Sequence, residues 1–156
     1  MKNKKLNVIL TITSIVLSVL ALVSVAVAIH KNIVIKTASV TSYSVGAINE
    51  TGKVIESKQS VYLKDMQKID GMKIELDEET ATITYKVAFY NEEDKFVSMT
   101  ESLDADFDAT NIPETATQFR VVITPLAVDG EAVELNIFNM AKYVNQLDVS
   151  WLNEVK

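Results

Sequence analysis

The sequence predicts an all-β domain, an antiparallel sandwich or barrel, carried outside the cell behind one N-terminal transmembrane α-helix. Three observations lead there. Residues 6–29 form an uncharged run of 24 residues; at least five later segments alternate apolar and polar side chains; and Gly, Pro, Asn and Asp stand between those segments.

Residues 1–5 carry Lys2, Lys4 and Lys5 and no acid, a basic end that the positive-inside rule keeps in the cytoplasm. The run that follows, LNVILTITSIVLSVLALVSVAVAI, would extend roughly 36 Å as a helix rising about 1.5 Å per residue, enough to cross a hydrocarbon core of about 30 Å. Its β-branched residues disfavour a helix in water, but lipid leaves the backbone no other way to satisfy its amides. Ala26-Val27-Ala28 fits a signal-peptidase site, yet a cleaved apolar region normally runs about 7 to 15 residues. The greater length favours an uncleaved, single-pass signal anchor with the N-terminus inside and the C-terminal domain outside. Cleavage after Ala28 would instead release a secreted protein.

Residues 30–46 read as a juxtamembrane spacer, with Ser and Thr frequent over 36–44, and residues 47–156 as the extracytoplasmic domain. Met72, Ile74 and Leu76 alternate with Lys73, Glu75 and Asp77; Ile83, Tyr85, Val87 and Phe89 alternate with Thr82, Thr84, Lys86 and Ala88. Phe119, Val121 and Ile123 repeat the pattern, as do Val133, Leu135 and Ile137, and Leu147, Val149 and Trp151. A period of two places each apolar set on one buried face. Breakers separate the runs at Glu50-Thr51-Gly52, Asp70-Gly71, residues 91–94, Asn111-Ile112-Pro113 and Asp129-Gly130. Residues 138–145 have room for a helical turn.

Charge and composition exclude several function classes. Of 15 basic residues three precede Leu6, which leaves 12 against 21 acidic ones in the rest of the chain. Such a surface repels phosphate backbones, and Arg120 is the lone arginine, so no nucleic-acid partner is expected. The chain has no cysteine, which removes disulfides, thiol nucleophiles and cysteine metal sites. Its one histidine, His30, adjoins the anchor, away from any core triad; with no G-x-S-x-G, H-E-x-x-H or phosphate loop either, an enzyme is not expected.

The segments VAFYNEEDKFVS (residues 87–98) and IPETATQFRVVI (residues 112–123) carry a resemblance. A strand ending in Phe89-Tyr90, a polar turn, a strand with Phe96 and Ser98, a corner at Pro113 and Ala116, and then Phe119-Arg120-Val121 resemble the galactose-binding-like jelly rolls. These occur as carbohydrate-binding-module-type domains of bacterial surface and phage tail proteins. The resemblance spans residues 54–126 and implies a jelly-roll-like β-sandwich with a glycan ligand and, often, a structural calcium; it carries over no binding residue. The anchor and the C-terminal YVNQLDVSWLNEVK stand outside the usual module.

Candidate ligand-binding residues are Tyr90 and Arg120. Tyr90 falls opposite the inward Phe89, where an exposed ring would stack on a pyranose. Arg120 points outward if Phe119 and Val121 point inward, and its guanidinium suits a carboxylate or sugar hydroxyls; a cross-strand ion pair is the plainer alternative. Asp104, Asp106 and Asp108 suggest a cation, but an EF-hand loop from Asp104 needs Gly at 109 and Glu at 115, where Ala109 and Thr115 stand. Strand spacing would put the three carboxylates on one solvated edge. Trp151 keeps period with Leu147 and Val149 and reads as core. Two roles fit: a surface-displayed glycan-binding module, or a structural or accessory envelope or phage-related protein whose sandwich binds a protein partner. Exposed tyrosines clustered at 62, 90 and 143 would favour the first, and buried or scattered ones the second.

Overall fold

The computed structural model describes residues 33–77 and 79–154. The expected anchor, residues 6–29, lies outside them; among the described residues no helix is long and apolar enough to cross a membrane. Residues Ile35–Asn153 form one compact unit, built almost wholly of antiparallel strands.

The two longest central strands owe their length to uninterrupted alternation. β8 (Ile83–Tyr90) sends Ile83, Tyr85, Val87 and Phe89 to one face, and β10 (Gln118–Pro125) sends Phe119, Val121 and Ile123 to the same face, all at most 1% exposed. The two strands pair along their whole length, from Gln118 opposite Tyr90 to Pro125 opposite Ile83. Pro125 has no amide to donate and stands at the strand's last position, where the ladder can spare one. The main sheet runs β2 (Tyr43–Val45), β5 (Val61–Leu63), β10, β8, β9 (Phe96–Met99), with the short β6 (Gln67–Lys68) also on β10. A second sheet sets β11 (Leu147–Glu154) between β1 (Ile33–Thr37) and β7 (Lys73–Leu76). A two-stranded hairpin, β3 (Ala47–Ile48) with β4 (Val54–Ile55), completes the strands.

One core joins the two larger sheets, as the alternation requires. Ile74, Leu76, Leu147, Val149 and Trp151 from the second sheet pack with the inner residues of β8 and β10. The Trp151 ring meets Phe119 edge-on at 6.4 Å between centroids. The reverse face of the main sheet is also apolar, with Ile48, Ala88, Tyr90 and Val122 buried and Tyr62, Met66, Phe96 and Met99 beside them. Ile48 belongs to the β3–β4 hairpin, which explains why β8 is buried on both faces from Val87 onward. That is the sandwich-like, all-β character the alternation predicts.

Three expectations are corrected and one is met. Residues 36–44 are not a loose spacer: they run through β1, a 3₁₀ turn (Val40–Ser42) and the start of β2, and Tyr43 is core, so the main sheet begins before residue 47. Val133, Leu135 and Ile137 do not form a strand. The side chain of Asn136 accepts from the amides of Phe138 (2.9 Å) and Asn139 (3.2 Å), a local turn that outcompetes a ladder. Leu135 is buried while Ile137 is 74% exposed. The expected helical turn is α1 (Ala141–Val144). Asp104, Asp106 and Asp108 lie on no strand. Instead the 103–108 segment straps β8 to β7: Leu103 and Tyr85 exchange backbone bonds, and the Tyr85 hydroxyl donates to the Ala105 carbonyl at 2.7 Å. On the other side Leu76 N donates to the Asp106 carboxylate (2.8 Å), and Phe107 N to the Ile74 carbonyl (3.1 Å).

Candidate functional site

Three places on the unit present chemistry to solvent: the outer face of the main sheet, one end built from the turns after β10 and before α1, and the opposite end near the start of β10.

Alternation fixes the outer face. With Phe119 and Val121 inward, Arg120 points outward, as its position predicts, and its cross-strand partner on β8 is Ala88. The expected ion pair is absent because no acid stands opposite: the ion pairs among the described residues are Lys73–Glu75 and Lys95–Glu93, both exposed. The guanidinium carbon lies 5.9 Å from the centroid of the Tyr90 ring, a cation–π contact. Its Nε is buried and has no acceptor. Lys86, half-buried, occupies the same face one diagonal step away, since Val122 is its partner and Ala88 is that of Arg120. Such diagonal neighbours stand about 7–8 Å apart.

Tyr90 corrects the expectation of an exposed stacking platform. It is 1% exposed, and its hydroxyl donates to the Gly52 carbonyl of the β3–β4 hairpin at 2.9 Å. The period placed Tyr90 on the outer face correctly, but the hairpin folds over that end of the face. Burial raises its phenol pKa, and the adjacent Arg120 charge opposes the shift. Tyr143 is core as well, so of the tyrosines only Tyr62 is partly open.

The three aspartates do not converge. Asp106 is committed to Leu76 N; Asp108 caps a 3₁₀ turn (Ala109–Asn111) by accepting from Thr110 N at 2.9 Å, a bond that holds its carboxyl below the usual range. Asp104 is exposed. Among the described residues no group of three His, Cys, Asp or Glu is placed to hold a metal. Trp151 is core, as its period predicts, and Glu92, Glu93 and Asp94 lie in the β8–β9 turn, which the Asn91 side chain organises by accepting from Glu93 N and Lys95 N.

The least expected feature is an apolar end. After Pro125 the chain exposes Leu126 (48%) and Val128 (60%), and before α1 it exposes Ile137 (74%) and Phe138 (89%). Both stretches lie at the end where β10 finishes and β11 starts: Leu126 N bonds the Thr82 carbonyl, Thr82 N bonds the Gln146 side chain, and Gln146 precedes β11. The Ile137–Phe138 turn is fixed rather than loose. Asn139 accepts from Asn136 N and donates to the Glu134 carbonyl, while buried Leu135 and Met140 anchor either side. Reading Ile137 in strand period hid this turn, although the Asn136 and Asn139 flanks carried its signal.

At the opposite end an open cavity of about 550 Å³ is lined by Ile69, Ala116, Thr117, Asp70, Glu92 and Gln118. A second hollow, about 360 Å³, adjoins the acidic strap between Phe89, Phe107 and Asp108. Comparison of the chain with known protein families, curated proteins and solved structures finds no match.

Proposed function

We propose that the chain is a membrane-anchored, extracytoplasmic, non-catalytic binding module that docks a protein partner through the apolar end of its β-sandwich. The observation that carries this is the turn displaying Ile137 and Phe138, at 74% and 89% exposure, in a frame locked by Asn136 and Asn139. Exposing a large aromatic in a rigid turn costs solvation without helping the core, and protein interfaces are built around such preorganised aromatic anchors. The anchor at residues 6–29 and the outside location belong to the same proposal and rest on the sequence.

A photoreactive amino acid at Phe138 in the full-length chain tests it, with the same probe at exposed Glu93, in the β8–β9 turn at the opposite end, as the control. One discrete protein adduct at 138, absent at 93 and lost on Ile137→Ser, is expected. Lipid adducts alone, or identical adducts at both positions, would sink it.

The glycan-binding, jelly-roll reading that follows the resemblance has narrower support. With Tyr90 and Tyr143 buried, Tyr62 is the ring left to stack on a sugar. Saturable binding to a cell-wall glycan, lost on Tyr62→Ala and enhanced by calcium, would favour it over the protein-partner reading.

A further inference from the structure

We propose that Arg120, with Lys86 beside it, is a receptor for a carboxylate carried on a small organic ligand lying against the outer face of the main sheet.

The inference starts from an imbalance of charge. The domain is strongly acidic, yet among the described residues its one arginine stands half-buried with no carboxylate in ion-pair reach, and Lys86, half-buried on the same face, has no ion pair either. A partly desolvated cation without a partner is unfavourable, because the protein replaces water around it and returns no opposite charge.

Geometry narrows the ligand. The guanidinium carbon lies 5.9 Å from the centroid of the Tyr90 ring, and Tyr90 is in turn held by its bond to Gly52. A guanidinium presents a planar fork, which matches the two oxygens of a carboxylate. Arg120 Nε is buried, so the terminal nitrogens are the atoms that receive the carboxylate. Lys86 adds a second positive charge one diagonal step away. The half-open Tyr62, Met66, Phe96 and Met99 supply an apolar surround for the body of the ligand. The domain's overall negative charge works against free inorganic anions, so apolar contact has to supplement the ion pair. A carboxylic acid with a ring or short chain fits this balance; sulfate or phosphate does not.

Arg120 is the only arginine, so its side-chain Nε–Hε group gives a single nitrogen–proton NMR signal in the full-length protein held in a neutral detergent. Galacturonate and acetate are titrated against that signal, with galactose and sodium chloride at matched ionic strength as controls. The expected result is a saturable shift with both acids, at least ten-fold tighter for galacturonate, and no saturation with galactose or chloride. Lys86→Gln weakens the response and Arg120→Gln removes the signal and any protection from galacturonate in thermal unfolding. No saturable shift with either acid, or a shift that chloride reproduces, overturns the proposal. The wild-type titration decides this alone, so a variant that fails to fold does not obscure the answer. A silent Phe138 crosslink leaves it untouched, since the two surfaces are separate.

Discussion

The β3–β4 hairpin controls access to the outer face, and Gly52 is its most constrained residue. Its φ of +76° lies in the left-handed region, and a Cβ built there would sit 2.4 Å from the Phe96 ring. Gly52→Ala therefore carries two costs, about 1–2 kcal/mol for the left-handed backbone and about 1–3 kcal/mol for overpacking against a ring that Tyr90 confines. Gly130 separates them. Its φ is +83°, but nothing lies within 4 Å of a Cβ there, so Gly130→Ala carries the backbone cost alone. Urea unfolding followed through the single tryptophan, Trp151, measures both. Gly52→Ala is expected to lose about 2–5 kcal/mol and Gly130→Ala about 1–2 kcal/mol. The excess at Gly52 appears also as a shift of the Arg120 Nε–Hε signal, because the Gly52 carbonyl holds Tyr90. Equal losses at the two glycines, with the Arg120 signal unmoved, would refute the idea that the hairpin is pressed onto the sheet.

Other consequences follow from single contacts. The Tyr43 hydroxyl is buried without a partner, so Tyr43→Phe should leave the domain as stable or up to about 1 kcal/mol more so, read by the same denaturation. Asp106→Ala frees the Leu76 amide and should cost about 1–2 kcal/mol, the exposed carboxylate reducing the effect; calcium should not restore the loss, whereas a calcium-dependent melting temperature in the wild type would reinstate a metal at the aspartates. Burial first, and then the charges of Asp148 and Asp106, raise the pKa values of Tyr43 and Tyr85 respectively above their ordinary value near 10. Both phenols stay protonated in the fold where the unfolded chain ionises, so their stabilisation is intact below about pH 10 and declines as pH rises toward the folded values. Urea midpoints should fall between pH 9 and 11, and less steeply in the Tyr43→Phe, Tyr85→Phe double variant.

The sequence by itself determined the strands that are buried by alternation. Residues 72–76, 83–89, 119–123 and 147–151 are legible because a period of two leaves one face apolar, and several of the turns between them because Gly and Asp tolerate positive φ where bulkier residues do not. The outward direction of Arg120 and the core position of Trp151 follow from the same parity. Parity stops at one strand, however, and does not say what covers its other side. Only the tertiary structure set the β3–β4 hairpin over Tyr90, turning an apparent exposed platform into core, and only it set Ala88 rather than an acid opposite Arg120. It also gave Asp106 a backbone amide thirty residues away and Ile137 a solvent-facing turn, because long-range hydrogen bonds and Asn side chains competed successfully with the local period.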